Sequence, residues 1–360
     1  LEGNASIFQP PVDESGPFGY LAEKASTNLV LQSEDFTATW GAQGVTVAAN
    51  AAVAPDGTTT MDRLAVTAIN FYHNSYQLIT GLGSGVNHTA SVYLKDDGAG
   101  FGGVVFHGGN LDFIAVMVDL STGLVTDTLV GATSGTLVAS GCDDVGNGVY
   151  RVWVSGSVVN SSSYIMPFVS DAAVFSSNTG GRPTYTGVLG EDILVWGAQV
   201  EAGTYPTSYI PTTTTTVTRN ADVLIAGDMV TDAAGSGYAE ASTIWQAGGN
   251  TYLLARNYPN LILYAGAGAS NSGSIGTWDG GSPSVSSGTY MYNAPQSLAS
   301  TWGNNLTAYY NGIPDATPAT YSGTFGTGNL GIGSNNTGAN TWNGTIREVK
   351  IFDSELTAEE

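Results

Sequence analysis

Thr89-Ala90-Ser91-Val92-Tyr93-Leu94, Gly103-Val104-Val105-Phe106 and Phe113-Ile114-Ala115-Val116-Met117-Val118 are three short apolar runs inside residues 89–118. Each is rich in β-branched or aromatic side chains, and turn formers such as Asp96-Asp97-Gly98 separate them. Runs of this kind, bounded by glycine and aspartate, read as strands. The signal extends outward in both directions. Upstream lie Asn28-Leu29-Val30-Leu31 and Val45-Thr46-Val47, with the turn Ala54-Pro55-Asp56-Gly57. Downstream lie Tyr150-Arg151-Val152-Trp153-Val154 and Ile193-Leu194-Val195-Trp196. Strands recurring at roughly 10–15 residue spacing predict a sandwich or jelly roll.

Composition agrees. Glycine supplies 49 of 360 residues, and charged residues are only 11%, against a common figure of about 25%. Hydrophobic residues hold at 42%, enough apolar surface to offset chain entropy and exclude general disorder. Helix formers such as Lys, Arg and Glu are scarce, so the fold class expected is all-β. The balance of 9 Lys+Arg against 30 Asp+Glu leaves a net charge of −21. Nucleic acid and anionic membrane surfaces are therefore excluded as partners, since both need clustered cations. No apolar run approaches the length of a membrane-spanning helix, so no membrane insertion is expected.

The expected organisation is two tandem antiparallel β-sandwich domains. Residues 1–26, with Pro10, Pro11 and Pro17, read as a leader, a linker or the tail of a preceding domain. The start, Leu1-Glu2-Gly3, reads as a cut from a longer chain. Residues 27–211 form the first sandwich. Residues 212–221, opening with five threonines at Thr212–Thr216, read as an extended linker. Residues 222–360 carry a second strand series, including Tyr252-Leu253-Leu254-Ala255, Asn260-Leu261-Ile262-Leu263-Tyr264 and Leu306-Thr307-Ala308-Tyr309-Tyr310. Asn311-Gly312 then reads as a type I′ hairpin turn.

Two stretches carry a family likeness. The first runs Gly19-Tyr20-Leu21-Ala22-Glu23-Lys24-Ala25-Ser26-Thr27-Asn28-Leu29-Val30-Leu31-Gln32-Ser33-Glu34-Asp35-Phe36 and closes Ile193-Leu194-Val195-Trp196-Gly197-Ala198-Gln199-Val200-Glu201-Ala202-Gly203, Pro206-Thr207-Ser208-Tyr209-Ile210-Pro211-Thr212. Residues 19–222 resemble a module of tailed-phage virion proteins: tail fibres, tailspikes and head fibres. More remotely they resemble jelly-roll carbohydrate-binding modules. The second stretch includes Leu298-Ala299-Ser300-Thr301-Trp302, Leu330-Gly331-Ile332-Gly333-Ser334 and Asn343-Gly344-Thr345-Ile346-Arg347-Glu348-Val349-Lys350-Ile351-Phe352. It is similar to the concanavalin-like, laminin-G-type lectin/glucanase sandwich.

Chemistry-bearing patterns are sparse. Glucanases on the concanavalin fold use a Glu-x-Asp spacing, because i and i+2 share a strand face. Here only Asp353 and Glu355 are two apart, at the end of the last strand. The three histidines, His73, His88 and His107, have no zinc-ligand spacing. Cys142 is the single cysteine. Asp96-Asp97 and Asp143-Asp144 precede glycine turns and read as solvated turns. No cofactor is required on this reading, and the chain is expected to be no enzyme. The jelly-roll resemblance implies structural calcium where the first strand meets the last, near Glu34 and Asp35.

Aromatic–polar mixtures are the best binding signal, since sugars stack C–H faces on rings and pair their hydroxyls with amides, carboxylates and Arg. The candidates are Tyr72, His73, Asn74 and Tyr76 in the first domain, and Arg256, Asn257, Tyr258, Trp278 and Asp279 in the second. Sandwich cores also consume aromatic rings. The resemblance implies a phage structural protein on the particle exterior. It would adhere to host-surface polysaccharide, contact other virion proteins and assemble at full length as a homo-oligomer, a trimer. A glycan-degrading tailspike fragment, hydrolase or lyase, is the first alternative. A purely architectural capsid or tail decoration is the second.

Overall fold

The structure, a computed structural model, describes residues 19–83, 85–109, 111–133, 135–158, 160–175, 180–243, 250–256, 260–266, 274–286 and 294–357. Every regular element among them is a β-strand, and paired strands run antiparallel to one another. The all-β expectation holds. The chain divides into two compact units. One is built from Ser26–Arg219, the other from Asn220–Glu360 with an added N-terminal strand, Tyr20–Ala22.

The first unit contains two six-stranded sheets. One has the strand order Leu124–Val130, Asp112–Asp119, Phe101–Gly109, Ser162–Ser170, Asn74–Thr80, Gly41–Gln43. The other runs Thr136–Asp144, Val149–Ser157, His88–Asp97, Asp192–Ala202, Met61–Val66, Val45–Ala52. Alternation along each strand sends one set of side chains inward. Val104, Phe106, Ile114, Val116 and Ile165 of the first sheet meet Val92, Leu94, Val152, Val154 and Val195 of the second in one buried core. At roughly 25 cal/mol per Å² of apolar area removed from water, this core is the main stabiliser of the unit.

The motif that marks the two ends of this unit is a hydrogen-bond lock. Asn28 donates to the carbonyls of Ala198 (3.0 Å) and Ile210 (2.8 Å) and accepts from the Val30 and Val200 N–H groups. Glu201, fully buried, accepts from the Thr207 N–H and hydroxyl (2.7 Å each), the Gln199 amide and the Ser26 hydroxyl. Most buried polar groups in proteins are satisfied this way. The signature residues therefore close the first and last strands onto each other.

The expected linker belongs to the same lock at its start. Thr212 is buried and donates its hydroxyl to the Val30 carbonyl at 2.6 Å, and Val217–Arg219 pairs with Ser26–Asn28. Threonine suits this because its hydroxyl can partner a neighbouring strand. The expected leader also differs in its last residues: Tyr20–Ala22 pairs with Gly344–Phe352, the Glu23 N–H donates to the Asp222 carboxylate, and the Asp222 N–H donates to the Glu23 carbonyl. Three residues are too few to show a period in sequence.

The second unit packs a seven-stranded sheet, centred on Gly235–Thr243 and Gln296–Trp302, against a six-stranded one centred on Thr251–Ala255 and Asn260–Gly266. Leu253, Ile262, Leu298, Trp302, Phe325 and Trp342 fill the space between them. Asn311 and Gly312 both have positive φ, 49° and 78°, as a type I′ turn requires, and Tyr310 pairs with Ile313 across it.

Candidate functional site

The outer face of the sheet that contains Asn74–Thr80 is a second, aromatic surface. On that strand Ile79 enters the core, while Tyr76 packs outward and Leu78 is exposed. Cross-strand register places Tyr164 beside Leu78 on one side and His107 on the other, and His107 opposite Phe113. The Tyr76 and Tyr164 rings meet edge to face at 5.9 Å, and His107 stacks on Phe113 at 5.9 Å and 8°. Gly41 stands opposite Tyr76, and a Cβ there would lie 2.2 Å from the Tyr76 ring. The missing side chain lets that ring lie over the edge strand. Beneath are Val105, Ala115, Met166 and Phe168, all buried. Tyr72, Tyr76, Tyr164 and His107 are half-buried, each presenting part of its ring.

Gly180-Gly181-Arg182-Pro183 brings a cation to this face. Gly181 has φ 71°, and a Cβ on it would fall 2.8 Å from the Phe113 ring, so only glycine lets the chain cross there. Arg182 then reaches Tyr72, with its guanidinium carbon 4.2 Å from the ring centre. Its Nη1 donates to Gln43 Oε1 at 3.0 Å and, at 3.5 Å, lies at the limit of a bond to Asn74 Oδ1. Gln43 and Asn74 are register partners on adjacent strands, which sets both oxygens toward one point.

Burial holds Arg182 below its ordinary pKa, with only Tyr72 opposing. His107 is also depressed, first by burial and then by the Arg182 charge. Its Nδ1 accepts the Gly109 N–H at 3.1 Å, which fits a neutral ring. The surface thus offers stacking rings, a neutral imidazole and one guanidinium.

Of the residues singled out in this region, Tyr72 and Tyr76 stand on the surface. Asn74 is enclosed and acts by holding Arg182. His73 points elsewhere: it is buried, 4.3 Å from the Tyr185 ring and 3.2 Å from the Thr67 carbonyl, so it is a packing residue. Tyr164, Gln43 and Arg182 were not legible as site residues. Arg182 had one signal, a cation among only nine, set between a glycine pair and a proline. Tyr164 and Gln43 had none, because only sheet register brings them to Tyr76.

Glu34 and Asp35 line a separate cleft of about 640 Å³ with Gln32, Asn50, Asp62 and Thr212. Each has one oxygen engaged locally. Glu34 accepts from the Tyr209 hydroxyl at 3.1 Å, and Asp35 caps Thr37. Asp62 accepts from the Phe36 and Asn50 N–H groups, one on each oxygen. Among the described residues no three acidic, imidazole or thiol groups converge as a cation's ligands would. Each of these carboxylates serves a turn or strand end. The cleft also has no aromatic wall.

In the second unit, Arg256 is buried. It binds the Val230 carbonyl at 2.8 Å, the Gly326 carbonyl and the Asp228 carboxylate. Asp279 is buried too, accepting from the Gly281 and Ser322 N–H groups. Both tie loops together rather than face solvent. Trp278 is half-buried against Tyr252, Leu261 and Tyr264, with its N–H given to the Gly281 carbonyl at 2.6 Å. Asn257 and Tyr258 lie outside the described residues.

Comparison with known proteins bears on the second unit first. Residues 230–360 match the model of the concanavalin A-like lectin/glucanases superfamily, laminin G type. These residues form a concanavalin-like domain. No curated protein sequence matches the chain. A solved structure from Bacteroides ovatus, described as a carbohydrate binding protein, is similar at 10% identity and TM-score 0.30 over 80% of this chain and 78% of its own. Trypanosoma rangeli sialidase with sialic acid is similar at 10% identity and TM-score 0.29, over 86% of this chain and 53% of its own. Mouse laminin α1 LG4-5 is similar at 11% identity and TM-score 0.23, over 96% of this chain and 93% of its own. The chain spans about half the length of the sialidases it resembles. With sialidases among these neighbours, the expectation that the chain is no enzyme is withdrawn. At such identity and TM-score they assign no reaction in its place.

Proposed function

We propose that this protein binds glycans, and that the outer face carrying Tyr72, Tyr76 and Tyr164 is the contact surface. The observation that carries this is the pair Tyr76–Tyr164, two half-buried rings edge to face on a sheet surface. Neither ring's hydroxyl has a protein partner among the described residues, so each is open to a sugar hydroxyl. Aromatic C–H stacking plus unclaimed polar edges is what sugar recognition needs. The concanavalin-like domain at residues 230–360 is compatible with the same role. The place of action we propose is the exterior of a phage particle, on a fibre or spike that meets host-surface polysaccharide as a trimer. That step rests on the resemblance of residues 19–222 to virion modules. Retention on a printed glycan array, compared between the natural protein and Tyr76→Ala or Tyr164→Ala, tests the binding. Loss of retention with an unchanged melting temperature supports it. Retention unchanged by either substitution removes this face from the account.

A further inference from the structure

Resting on the reading of this face as a glycan surface, we infer that its ligand is an acidic sugar whose carboxylate is taken by Arg182. Charge accounting carries the inference. The chain holds 9 Lys+Arg against 30 Asp+Glu, so its cations have an excess of carboxylates to pair with. Arg63, Arg256, Arg347 and Lys350 each do so, with Asp97, Asp228, Glu240 and Glu348. Arg182 does not. Its partners are two neutral amide oxygens and a tyrosine ring. No carboxylate forms an ion pair with it among the described residues. From Ala172 to Tyr185 the sequence itself contains no acid.

The hydrogen-bond geometry points the same way. Nη1 is spent on Gln43 and Asn74. Nε is buried with no acceptor, and the bonds that Arg182 makes to Gln43 and Asn74 both leave from Nη1 rather than Nη2. Nε and Nη2 share one edge of the guanidinium; Nε is enclosed, so a carboxylate arriving at that edge bonds Nη2. A half-buried cation with an unsatisfied donor on that edge is costly to maintain. An arriving carboxylate would neutralise that charge at Nη2. The Tyr72 ring on one side and the Gln43–Asn74 pair at Nη1 hold the fork in place beforehand, which lowers the ordering cost of binding. The sugar ring carrying the carboxylate would then lie toward Tyr76 and Tyr164 on the same face.

The test uses the whole protein on an array of oligogalacturonate, oligoglucuronate and sialyl-lactose, each printed beside its methyl ester, with a sulfated galactan as a further arm. The expected result is retention of at least one acid about 10- to 100-fold above its ester, the worth of a charge-assisted hydrogen-bond pair. Arg182→Gln should erase that preference, Arg182→Lys should keep part of it, and both variants should melt near the natural protein. Equal retention of acid and ester, or a preference untouched by Arg182→Gln, overturns the inference while leaving glycan binding intact. Retention of the sulfated galactan alone overturns the carboxylate assignment. No retention of any sugar, neutral or acidic, overturns the underlying reading instead. If Arg182→Gln melts far below the natural protein, the residue is a structural tie, and the inference falls with it.

Discussion

The guanidinium carbon of Arg182 lies 4.2 Å from the centre of the Tyr72 ring. The two residues are far apart in sequence, and the contact fixes where the only cation described on this face sits. A cation over an aromatic ring is worth about 0.5–2 kcal/mol, more when water is excluded. Tyr72→Leu should therefore weaken glycan binding by about 0.5–2 kcal/mol while leaving the melting temperature close to its natural value. Titration calorimetry against a bound oligosaccharide reads the first quantity and scanning calorimetry the second. A large fall in melting temperature would make Tyr72 a packing residue.

Gly41 faces Tyr76 across the edge of the sheet, with no room for a Cβ beside the ring. Gly41→Val should push the Tyr76 ring off the surface. The expected loss of binding is about 1–2 kcal/mol, close to that of Tyr76→Ala, and the double variant should lose little more. Additive losses would show that Gly41 does not position the ring.

Glu201 holds the two ends of the first unit together through Ser26, Gln199 and Thr207. Glu201→Ala removes the shared acceptor and strands several buried donors. Its expected cost is about 3–5 kcal/mol, confined to the first unit's unfolding transition in urea. A change below about 1 kcal/mol would mean that water or rearrangement satisfies those donors.

This lock explains what was legible in the sequence. The quoted motifs at residues 26–36 and 193–212 are recognisable because Asn28, Gln199, Glu201, Thr207 and Thr212 each make specific buried bonds. They mark the fold and do not touch the outer face. Strand runs such as Phe113–Val118 were legible because apolar side chains fill both faces of that strand. The proposed binding surface was only half legible. Tyr72 and Tyr76 stood out as rings in a polar setting, but His73 turned inward against Tyr185 and the Thr67 carbonyl, and Tyr164 joined them through pairing register alone. In the second unit, Arg256 and Asp279 looked like ligand groups because sequence does not reveal the loop carbonyls and N–H groups that occupy them.

The two units should respond oppositely to acid through two buried aspartates. Burial raises the Asp62 carboxyl above its ordinary pKa, and bonds from Asn50 and Phe36 only partly offset it. A raised carboxyl binds its proton more tightly when folded, so stability falls as pH climbs from the ordinary carboxylate range through the raised value. Burial also pushes Asp315 up, but bonds from Thr317, Ser284 and Val285 outweigh it and leave the group depressed. A depressed carboxyl contributes stability above its ordinary pKa that is lost as pH falls through the lowered value. Asp315→Asn should therefore cost the second unit about 1–3 kcal/mol near neutrality, and less as pH falls through that lowered value. Asp62→Asn should flatten the first unit's gain in melting temperature on mild acidification. Identical pH profiles for variant and natural protein would contradict either assignment.

The most direct test of the central claim is the affinity of the Tyr76→Ala/Tyr164→Ala double variant for a glycan that the natural protein retains. The account predicts a loss of about 10- to 100-fold with a melting temperature near the natural value, since both rings stand on a surface whose supporting core is unchanged. Undiminished affinity in the double variant, or no retention of any glycan by the natural protein, would contradict it.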